Sequence, residues 1–193
     1  MDKKSQEMIA KYLHDMHSLI QHGHDAIKQQ RENLKNSNHK DAFQAIERFE
    51  STMDTHLAML ETRLDAIGES TTSPIQDAAA SVAGVAAGLY NAVRDEQASK
   101  SVRDDYTFFS QSSIAYLMLH VTSKSLGDNE TAQVCERGYR DMARMVMEID
   151  RLMPGLVIDE IRDNKLSPMD VAEQARKMIV ESWDRQAARA GMR

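Results

Sequence analysis

The chain has 193 residues, of which 41% are hydrophobic and 28% charged, a composition typical of a folded globular protein rather than a disordered one. Its formal net charge of -6 argues against binding to nucleic acid or to an anionic membrane, since both need a basic surface. No stretch reaches the roughly 18 to 20 apolar residues of a membrane span, and the amino terminus lacks the apolar run of a secretory signal. Cys135 is the single cysteine, so we expect a cytoplasmic protein without an intramolecular disulfide.

Apolar residues at helical spacing predict two long helices at the start of the chain. The first runs from about Ser5 to Leu34, and the second runs from about His39 to Ile67, with Gly68 as its C-cap. A short polar turn between two long helices indicates an antiparallel hairpin. On a helical wheel, His17 lies at the edge of the inward face of the first helix, whereas His14 points away from that face.

A long segment from Glu69 to Lys100 separates this hairpin from the rest of the chain. It opens a helix at Ser73 and Pro74, and small residues follow at a spacing that favours close helix packing. These small residues are Ala83, Gly84, Ala87 and Gly88. An up-down bundle with short loops has no need of such a segment, so we interpret it as a helical crossover between two hairpins.

The second hairpin begins with a helix from about Ser101 to Leu126, whose inward stripe is unusually polar. The predicted stripe contains Val102, Tyr106, Phe109, Ser113, Tyr116, Leu117 and His120. Gly127 caps the end of this helix, and Asp128 caps the start of the next. The next helix is predicted to end near Met153, because Pro154 follows.

These elements predict an all-α, ferritin-like four-helix bundle with a helical crossover and a C-terminal helical extension. The bundle is predicted to occupy residues 1–154, and the extension residues 155–193. Within the extension, a helix from Pro168 to about Arg189 carries an apolar stripe that includes Met178 and Trp183. Trp183 is the single tryptophan of the chain, and we expect it to anchor this helix on the bundle or on a partner.

Several stretches of the chain are packing and capping signatures of a known bundle family. They are Tyr12 to His17, Leu60 to Asp65, Gln76 to Gly88, Ile114 to Tyr116, and Gly127 with Asp128. In these stretches the chain resembles the YciE/YciF group of ferritin-like bacterial stress proteins, over roughly residues 8–154. The resemblance implies the ferritin-like fold and a bacterial, stress-associated role, and it leaves the C-terminal tail unmatched.

Metal-binding members of such families hold two iron or manganese ions between the four helices, mostly with glutamate ligands. The resemblance places the ligand positions on Ile20, Thr52, His56, Phe109 or Ser110, Ser112 or Ser113, and Asp141. Only His56 and Asp141 carry side chains that bind such metals well. One carboxylate and one imidazole cannot balance two divalent ions in a low-dielectric core. We therefore expect that the di-metal site is lost, and that the protein has no cofactor and no catalytic residues.

A diverged metal site is the first alternative. Iron, manganese or zinc bound at a site with His56 and Asp141 would make the chain a metal-binding protein or an oxidoreductase. In a zinc version, His17, His56 and His120 from three helices would supply three imidazoles. The simpler interpretation is that these three histidines are unrelated, each satisfied by a neighbouring polar group.

A small-ligand pocket is the second alternative. Ser113, Tyr116 and His120 follow one another along the central helix and would line such a pocket. A buried polar network that satisfies itself explains the same residues more simply. Cys135 has no activating base near it in sequence, so we interpret it as an inert core residue. The charge run from Arg103 to Asp105 is interpreted as a solvated face.

The sequence thus favours a non-enzymatic structural or interaction protein. We expect a homodimer, with a protein partner bound through the C-terminal helix near Trp183 or through an outer face of the bundle. The chain has 13 methionines, which fill irregular cores and also build adaptable binding surfaces.

Overall fold

A computed structural model describes residues 2–70, 98–161 and 167–190, with side chains of the last helix described up to residue 183. Over these residues the chain forms five α-helices and no strand. They are α1 (Lys3–Leu34), α2 (Lys40–Ala66), α3 (Ala98–Ser125), α4 (Asn129–Glu160) and α5 (Pro168–Ala190). The predicted all-α class is confirmed.

The first four helices pack as a bundle in which α1 and α4 lie diagonally opposite each other. Each of them packs against both α2 and α3. Arg48 of α2 contacts Glu148 of α4, and Arg63 near the other end of α2 contacts Asp128 just before α4. The helices α2 and α4 are therefore antiparallel, and the short turn at Gly127 makes α3 and α4 antiparallel as well. It follows that α2 and α3 run in the same direction.

Two parallel helices that follow each other in the chain require a connection as long as the bundle. At about 1.5 Å per residue, the 27 residues of α2 span about 40 Å. The chain has to return this distance between Ala66 and Ala98. The predicted arrangement of two hairpins joined by a long crossing agrees with these directions. The residues predicted to form the crossover helix, from Ser73 to Gly88, lie outside the described residues.

The core follows the predicted pattern closely in α1. The predicted inward residues are all buried: Ile9, Leu13, Met16, Ile20, Gly23 and Ile27. Gly23 lets α3 approach, because an added Cβ there would lie 2.0 Å from Cζ of Phe108. Phe109 packs edge-on against Phe49 of α2, with ring centroids 5.1 Å apart. Burial of each such side chain contributes about 1.5 to 3 kcal/mol before the entropic cost of ordering it.

The predicted caps form at the bundle ends. Gly68 and Gly127 adopt φ values of 81° and 82°, the left-handed conformation that favours glycine at a helix C-terminus. The Asp128 carboxylate accepts a hydrogen bond from the backbone N–H of Thr131 at 2.9 Å and caps α4. Arg63 donates to the same carboxylate at 2.8 Å and ties the end of α2 to the start of α4.

The predicted end of α4 at Met153 is wrong, because the helix continues through Pro154 to Glu160. Proline removes one helical N–H, but the turn after it is held by the buried side chains of Leu156 and Ile158. Glu160 also accepts hydrogen bonds from the backbone N–H and the hydroxyl of Ser99, at 2.9 and 2.5 Å. Tertiary contacts thus extend the helix past its local stop signal. The division of the chain near residue 154 stays a prediction.

The last helix, α5, packs on α4 and begins at Pro168 as predicted. The indole N–H of Trp183 donates to Asp150 of α4 at 3.0 Å, so this side chain contacts the bundle. The predicted inward stripe is wrong at Met178, which is exposed, while Ala172 is buried. Among the described helices, none combines the length and the apolar character needed to cross a membrane.

Candidate functional site

The inward face of α3 is rotated relative to the predicted stripe. The buried residues recur every three or four positions: Val102, Asp105, Phe108, Phe109, Ser112, Tyr116, Leu119 and Ser123. Leu117, predicted to point inward, is exposed, and Ser113 and His120 are half-buried. The prediction failed there because α3 carries apolar side chains on both faces, so the hydrophobic pattern does not define its orientation.

One polar group in the core joins three helices: His56 from α2, Tyr116 from α3 and Asp141 from α4. We call these three residues the His56 cluster. The Tyr116 hydroxyl lies 2.8 Å from His56 Nδ1, and His56 Nε2 lies 3.2 Å from Asp141 Oδ2. His56 and Tyr116 are fully buried, and their rings meet edge-on with centroids 5.5 Å apart.

The burial of the cluster determines its protonation. Burial lowers the pKa of His56, and this effect outweighs the opposing effect of the Asp141 carboxylate. Burial also raises the pKa of Tyr116 well above its usual value, so the phenol keeps its proton. A carboxylate only accepts hydrogen bonds, so the proton of the neutral imidazole lies on Nε2 and points to Asp141. Nδ1 then accepts from the Tyr116 hydroxyl, and both ring nitrogens of His56 are satisfied.

Two features of α4 hold this arrangement in place. An added Cβ at Gly138 would lie 2.5 Å from Cε1 of Tyr116, so this glycine provides the space that the phenol ring occupies. Asp141 forms ion pairs with Arg144 and, at 3.7 Å, with Arg137, both on the same helix. The carboxylate is therefore neutralised by two guanidinium groups at the edge of the bundle, while it orients a neutral histidine inside it.

Position by position, the ligand sites implied by the resemblance contain poor metal ligands. Ile20 and Phe109 are fully buried apolar side chains. The hydroxyl of Thr52 donates to the Arg48 carbonyl, and that of Ser113 donates to the Ser110 carbonyl. Ser112 is fully buried, and its hydroxyl has no hydrogen-bond partner among the described residues. A pair of iron or manganese ions does not fit this set of donors.

The three histidines of the zinc alternative have separate partners. His17 lies 3.3 Å from Glu61 at the edge of the α1–α2 pair. His120 donates from Nδ1 to the backbone carbonyl of Ala132 at 2.9 Å, whereas His56 belongs to the cluster above. Within residues 2–70, 98–161 and 167–190, no group of three or more His, Cys, Asp or Glu side chains could hold a metal ion.

The three residues of the predicted ligand pocket likewise point to different partners. Tyr116 bonds to His56, His120 to the Ala132 carbonyl, and Ser113 to its own helix. Sequence reasoning missed the pairing of Tyr116 with His56. The sequence did indicate that His56 is buried, since it follows Met53 by three residues and precedes Leu60 by four on the core stripe of α2. Cys135 is buried, and burial raises its pKa to about 12, consistent with an inert thiol.

Two further polar residues are buried where the sequence predicted exposure. Asp105 is fully buried and accepts a hydrogen bond from Gln30 of α1 at 2.8 Å, so the prediction of a solvated face is wrong at this residue. It lies at helical spacing from the buried Val102 and Phe109, although it belongs to a charge run. His14 is also buried rather than turned away from the core, and its Nε2 lies 3.6 Å from Glu69 Oε2.

A groove of about 390 Å³ lies between α4 and α5. It is lined by Met147, Asp150, Arg151, Arg176, Ile179, Val180 and Trp183. The indole ring of Trp183 is 42% exposed, although its N–H is bonded to Asp150. The groove therefore combines an accessible aromatic ring with one carboxylate and two guanidinium groups.

Over residues 4–162 the chain matches the model of the family described as DUF892, a domain of unknown function, and it belongs to that family. The match covers α1 to α4 and ends before α5. Searches of the curated proteins and of the solved structures found no match.

Proposed function

We propose that this chain is a cytoplasmic, non-enzymatic structural or interaction protein of ferritin-like fold, related to the YciE/YciF-like bacterial stress proteins and acting as a homodimer. The His56 cluster carries this proposal. At the positions where ferritin-like relatives hold metal ligands, the two remaining candidates, His56 and Asp141, already satisfy each other and their neighbours. A ligand atom that has its own partners has to lose them before it can bind a cation.

The electrostatics of the cluster support the same conclusion. To bind a metal through Nε2, His56 would have to transfer its hydrogen bond from Asp141 to the ion. Asp141 would have to give up the charge of Arg144 and Arg137. Neither change brings in a second carboxylate, because the remaining positions are Ile20 and hydroxyl or phenyl side chains. Two divalent ions would remain largely unbalanced.

A partner surface on the C-terminal side completes the proposal. The groove between α4 and α5 exposes Trp183 and Met147 beside Arg151 and Arg176. Tryptophan and arginine are the residues that most often dominate protein interfaces, and methionine adapts to irregular partners. We propose that a protein partner binds here through an apolar side chain flanked by acidic groups.

A metal-binding function is the second candidate, and one observation favours it. His56 and Asp141 come from different helices and lie 3.2 Å apart, as a shared ligand pair would. The site would need further ligands from outside the described residues or from solvent, and it would hold one ion rather than two.

Elemental analysis of untagged protein from metal-supplemented cultures separates the two candidates. We expect iron, manganese and zinc far below one ion per chain in the wild type. Stoichiometric metal that is lost in His56→Ala but kept in His22→Ala would overturn the proposal that the metal site is lost and would favour the metal-binding candidate. His22 is an exposed histidine of α1, so its replacement controls for non-specific binding to imidazoles.

A further inference from the structure

Two arginines in the groove between α4 and α5 differ from the other arginines whose side chains are described. Seven of those arginines form an ion pair with a carboxylate: Arg31, Arg48, Arg63, Arg103, Arg137, Arg140 and Arg144. Within the described part of the chain, Arg151 of α4 and Arg176 of α5 form none, and both line the groove. A guanidinium group keeps its charge, so this groove contains two positive charges that no carboxylate of the described residues neutralises.

The spacing along the two helices places these arginines on facing sides. On α4, Arg151 follows Met147 by four residues, and both line the groove. On α5, Arg176 precedes Ile179 by three residues and Trp183 by seven, and all three line it. Residues three, four and seven apart share one face of a helix. Each arginine therefore lies on the side that its helix turns toward the other helix, and an anion between them would contact both α4 and α5.

The same two arginines line a second cavity of about 220 Å³, so they lie where the two cavities meet. Asp41 and Asp159 also line this second cavity, but among the described residues neither forms an ion pair with Arg151 or Arg176. In the groove, the lining carboxylate is that of Asp150, which accepts the indole N–H of Trp183. Two like charges that line one groove repel each other, and a bound anion would remove this repulsion.

The charge of the whole chain makes this place distinctive for an acidic partner. The formal net charge is -6, so an acidic partner is repelled over most of the surface. The two guanidinium groups attract it to the groove. Apolar side chains lie beside them, since Met147, Val180 and Trp183 are 42%, 57% and 42% exposed. The groove therefore fits a segment in which a carboxylate stands next to an apolar residue.

We infer that Arg151 and Arg176 together bind one carboxylate of a protein partner, while the apolar residue next to that carboxylate packs against the ring of Trp183. The inference rests on the partner surface in the proposed function and names the residues that select its acidic group. Guanidinium groups bind carboxylates through paired, directed hydrogen bonds. Because one arginine belongs to each helix, the bound carboxylate also bridges α5 to α4.

Calorimetric titration of the full chain with two capped dipeptides tests this inference. The probes are acetyl-leucyl-aspartate amide and acetyl-leucyl-asparagine amide, which have the same shape and differ in one charge. We expect the aspartate probe to bind at least about tenfold more tightly, since hydrogen bonds to charged groups are stronger than those between neutral groups. This preference should shrink at high salt, because the arginines are exposed and their charges are screened.

Variants of the two arginines show whether both are needed. Arg151→Gln and Arg176→Gln should each weaken binding of the aspartate probe by about tenfold and leave binding of the asparagine probe unchanged. Arg140→Gln is the matched control, because Arg140 also lies on α4, its side chain is 68% exposed, and its partner is Glu136 of the same helix. This control should keep the full preference. Circular dichroism verifies that the three variants stay folded.

Each result bears on a separate statement. Equal affinity of the wild type for the two probes overturns the inference and leaves the groove standing as an apolar partner surface. A loss of preference in only one arginine variant overturns the joint binding of one carboxylate, and a loss in Arg140→Gln assigns the preference to the general surface charge. If neither probe binds, the partner surface of the proposed function falls together with the inference. Metal content and oligomeric state enter none of these results, so the rest of the proposed function is judged independently.

Hydrogen exchange followed by mass spectrometry tests the bridge between the two helices. The aspartate probe at about ten times its dissociation constant should slow exchange of the α5 amides by about tenfold, since it stabilises the packed state of α5. The asparagine probe at the same concentration should slow it less. Helix α1 supplies no residue to the groove and should exchange as before with both probes. Unchanged exchange in α5 while the aspartate probe is bound would overturn the bridge.

Discussion

The helices α3 and α4 form one hairpin, yet their buried faces differ in polar content. On α4, Cys135, Met142 and Ile149 are buried, and most of the charged residues are exposed. On α3, the buried side includes Asp105, Ser112 and Ser123. Its exposed side carries four large apolar residues, Ile114, Leu117, Met118 and Val121. The apolar residues of α4 define its buried face, whereas the buried face of α3 also contains polar groups whose partners lie on other helices, as for Asp105 and Tyr116.

The largest expected effect is the difference between substitutions on the inner face and on the outer face of α3, measured as the free energy of unfolding. Tyr116→Ala removes a fully buried ring and the partner of His56 Nδ1, so we expect a loss of about 3 to 5 kcal/mol in the free energy of unfolding. Leu117→Ala, one residue further along, should change it by less than about 0.5 kcal/mol in the monomer. Urea unfolding at low protein concentration measures both. Equal losses would contradict the orientation of α3.

A smaller effect is expected where α3 meets α1. Gly23→Ala places a methyl group against the rigid ring of Phe108, and overpacking of this kind costs about 1 to 3 kcal/mol. Gly155→Ala is the control, since a Cβ there meets nothing within 4 Å and alanine favours the helix by about 0.5 to 1 kcal/mol. Thermal unfolding of the two variants should therefore shift in opposite directions. A stabilised Gly23→Ala would show that α3 lies further from α1.

The protonation of His56 predicts a dependence of stability on pH. Its pKa is lowered in the folded state from the ordinary value of 6.5, so the unfolded chain takes up a proton that the folded chain resists. The stability that His56 contributes is complete above pH 6.5 and is lost as the pH falls through the folded pKa. We expect the difference in unfolding free energy between wild type and His56→Gln to narrow from pH 7.5 to 5.5. A difference that widens toward acid would mean that burial does not dominate this pKa.

The smallest effect concerns the buried serine Ser112 on the inner face of α3. The hydroxyl of Ser112 is buried without a hydrogen-bond partner among the described residues, so Ser112→Ala removes an unsatisfied group and adds helix propensity. We expect Ser112→Ala to unfold at the same urea concentration as the wild type or at a higher one. The free energy of unfolding should rise by up to about 1 kcal/mol. Ser113→Ala, which removes a bonded hydroxyl, is the comparison. A clear loss in Ser112→Ala would indicate a water or ligand bound at this hydroxyl.

The difference between α3 and α4 also explains which predictions from the sequence succeeded. The apolar inward residues of α1 and the caps at Gly68 and Gly127 were predicted correctly, because periodicity and left-handed glycines are local signals. The prediction was wrong on α1 at His14, which is buried. The end of α4 at Met153 was wrong, since contacts beyond Pro154 override a local stop. The buried side of α3 was mispredicted where apolar residues lie on both faces.

The candidate site was predictable in part. His56 and Asp141 were paired through the ligand positions of the resemblance, and they do lie together. The third member, Tyr116, was assigned to His120 instead, because the height of one helix relative to another depends on loops and packing that no single helix encodes. The burial of Asp105 had only its spacing as a signal, since it follows Val102 by three residues and precedes Phe109 by four. Its partner Gln30 lies on α1, far away in the sequence, and could not be predicted.

The fluorescence of Trp183, the single tryptophan, can be used to monitor the packing of α5 on the bundle. Its indole N–H is bonded to Asp150, and its ring borders solvent. Its fluorescence therefore reports on the contact between α5 and α4, whereas far-ultraviolet circular dichroism reports on the helices of the whole chain. Partner binding in the groove, or release of α5 from the bundle, can be followed by emission wavelength while the bundle stays folded. The protein thus carries a built-in probe at the surface proposed for its partner.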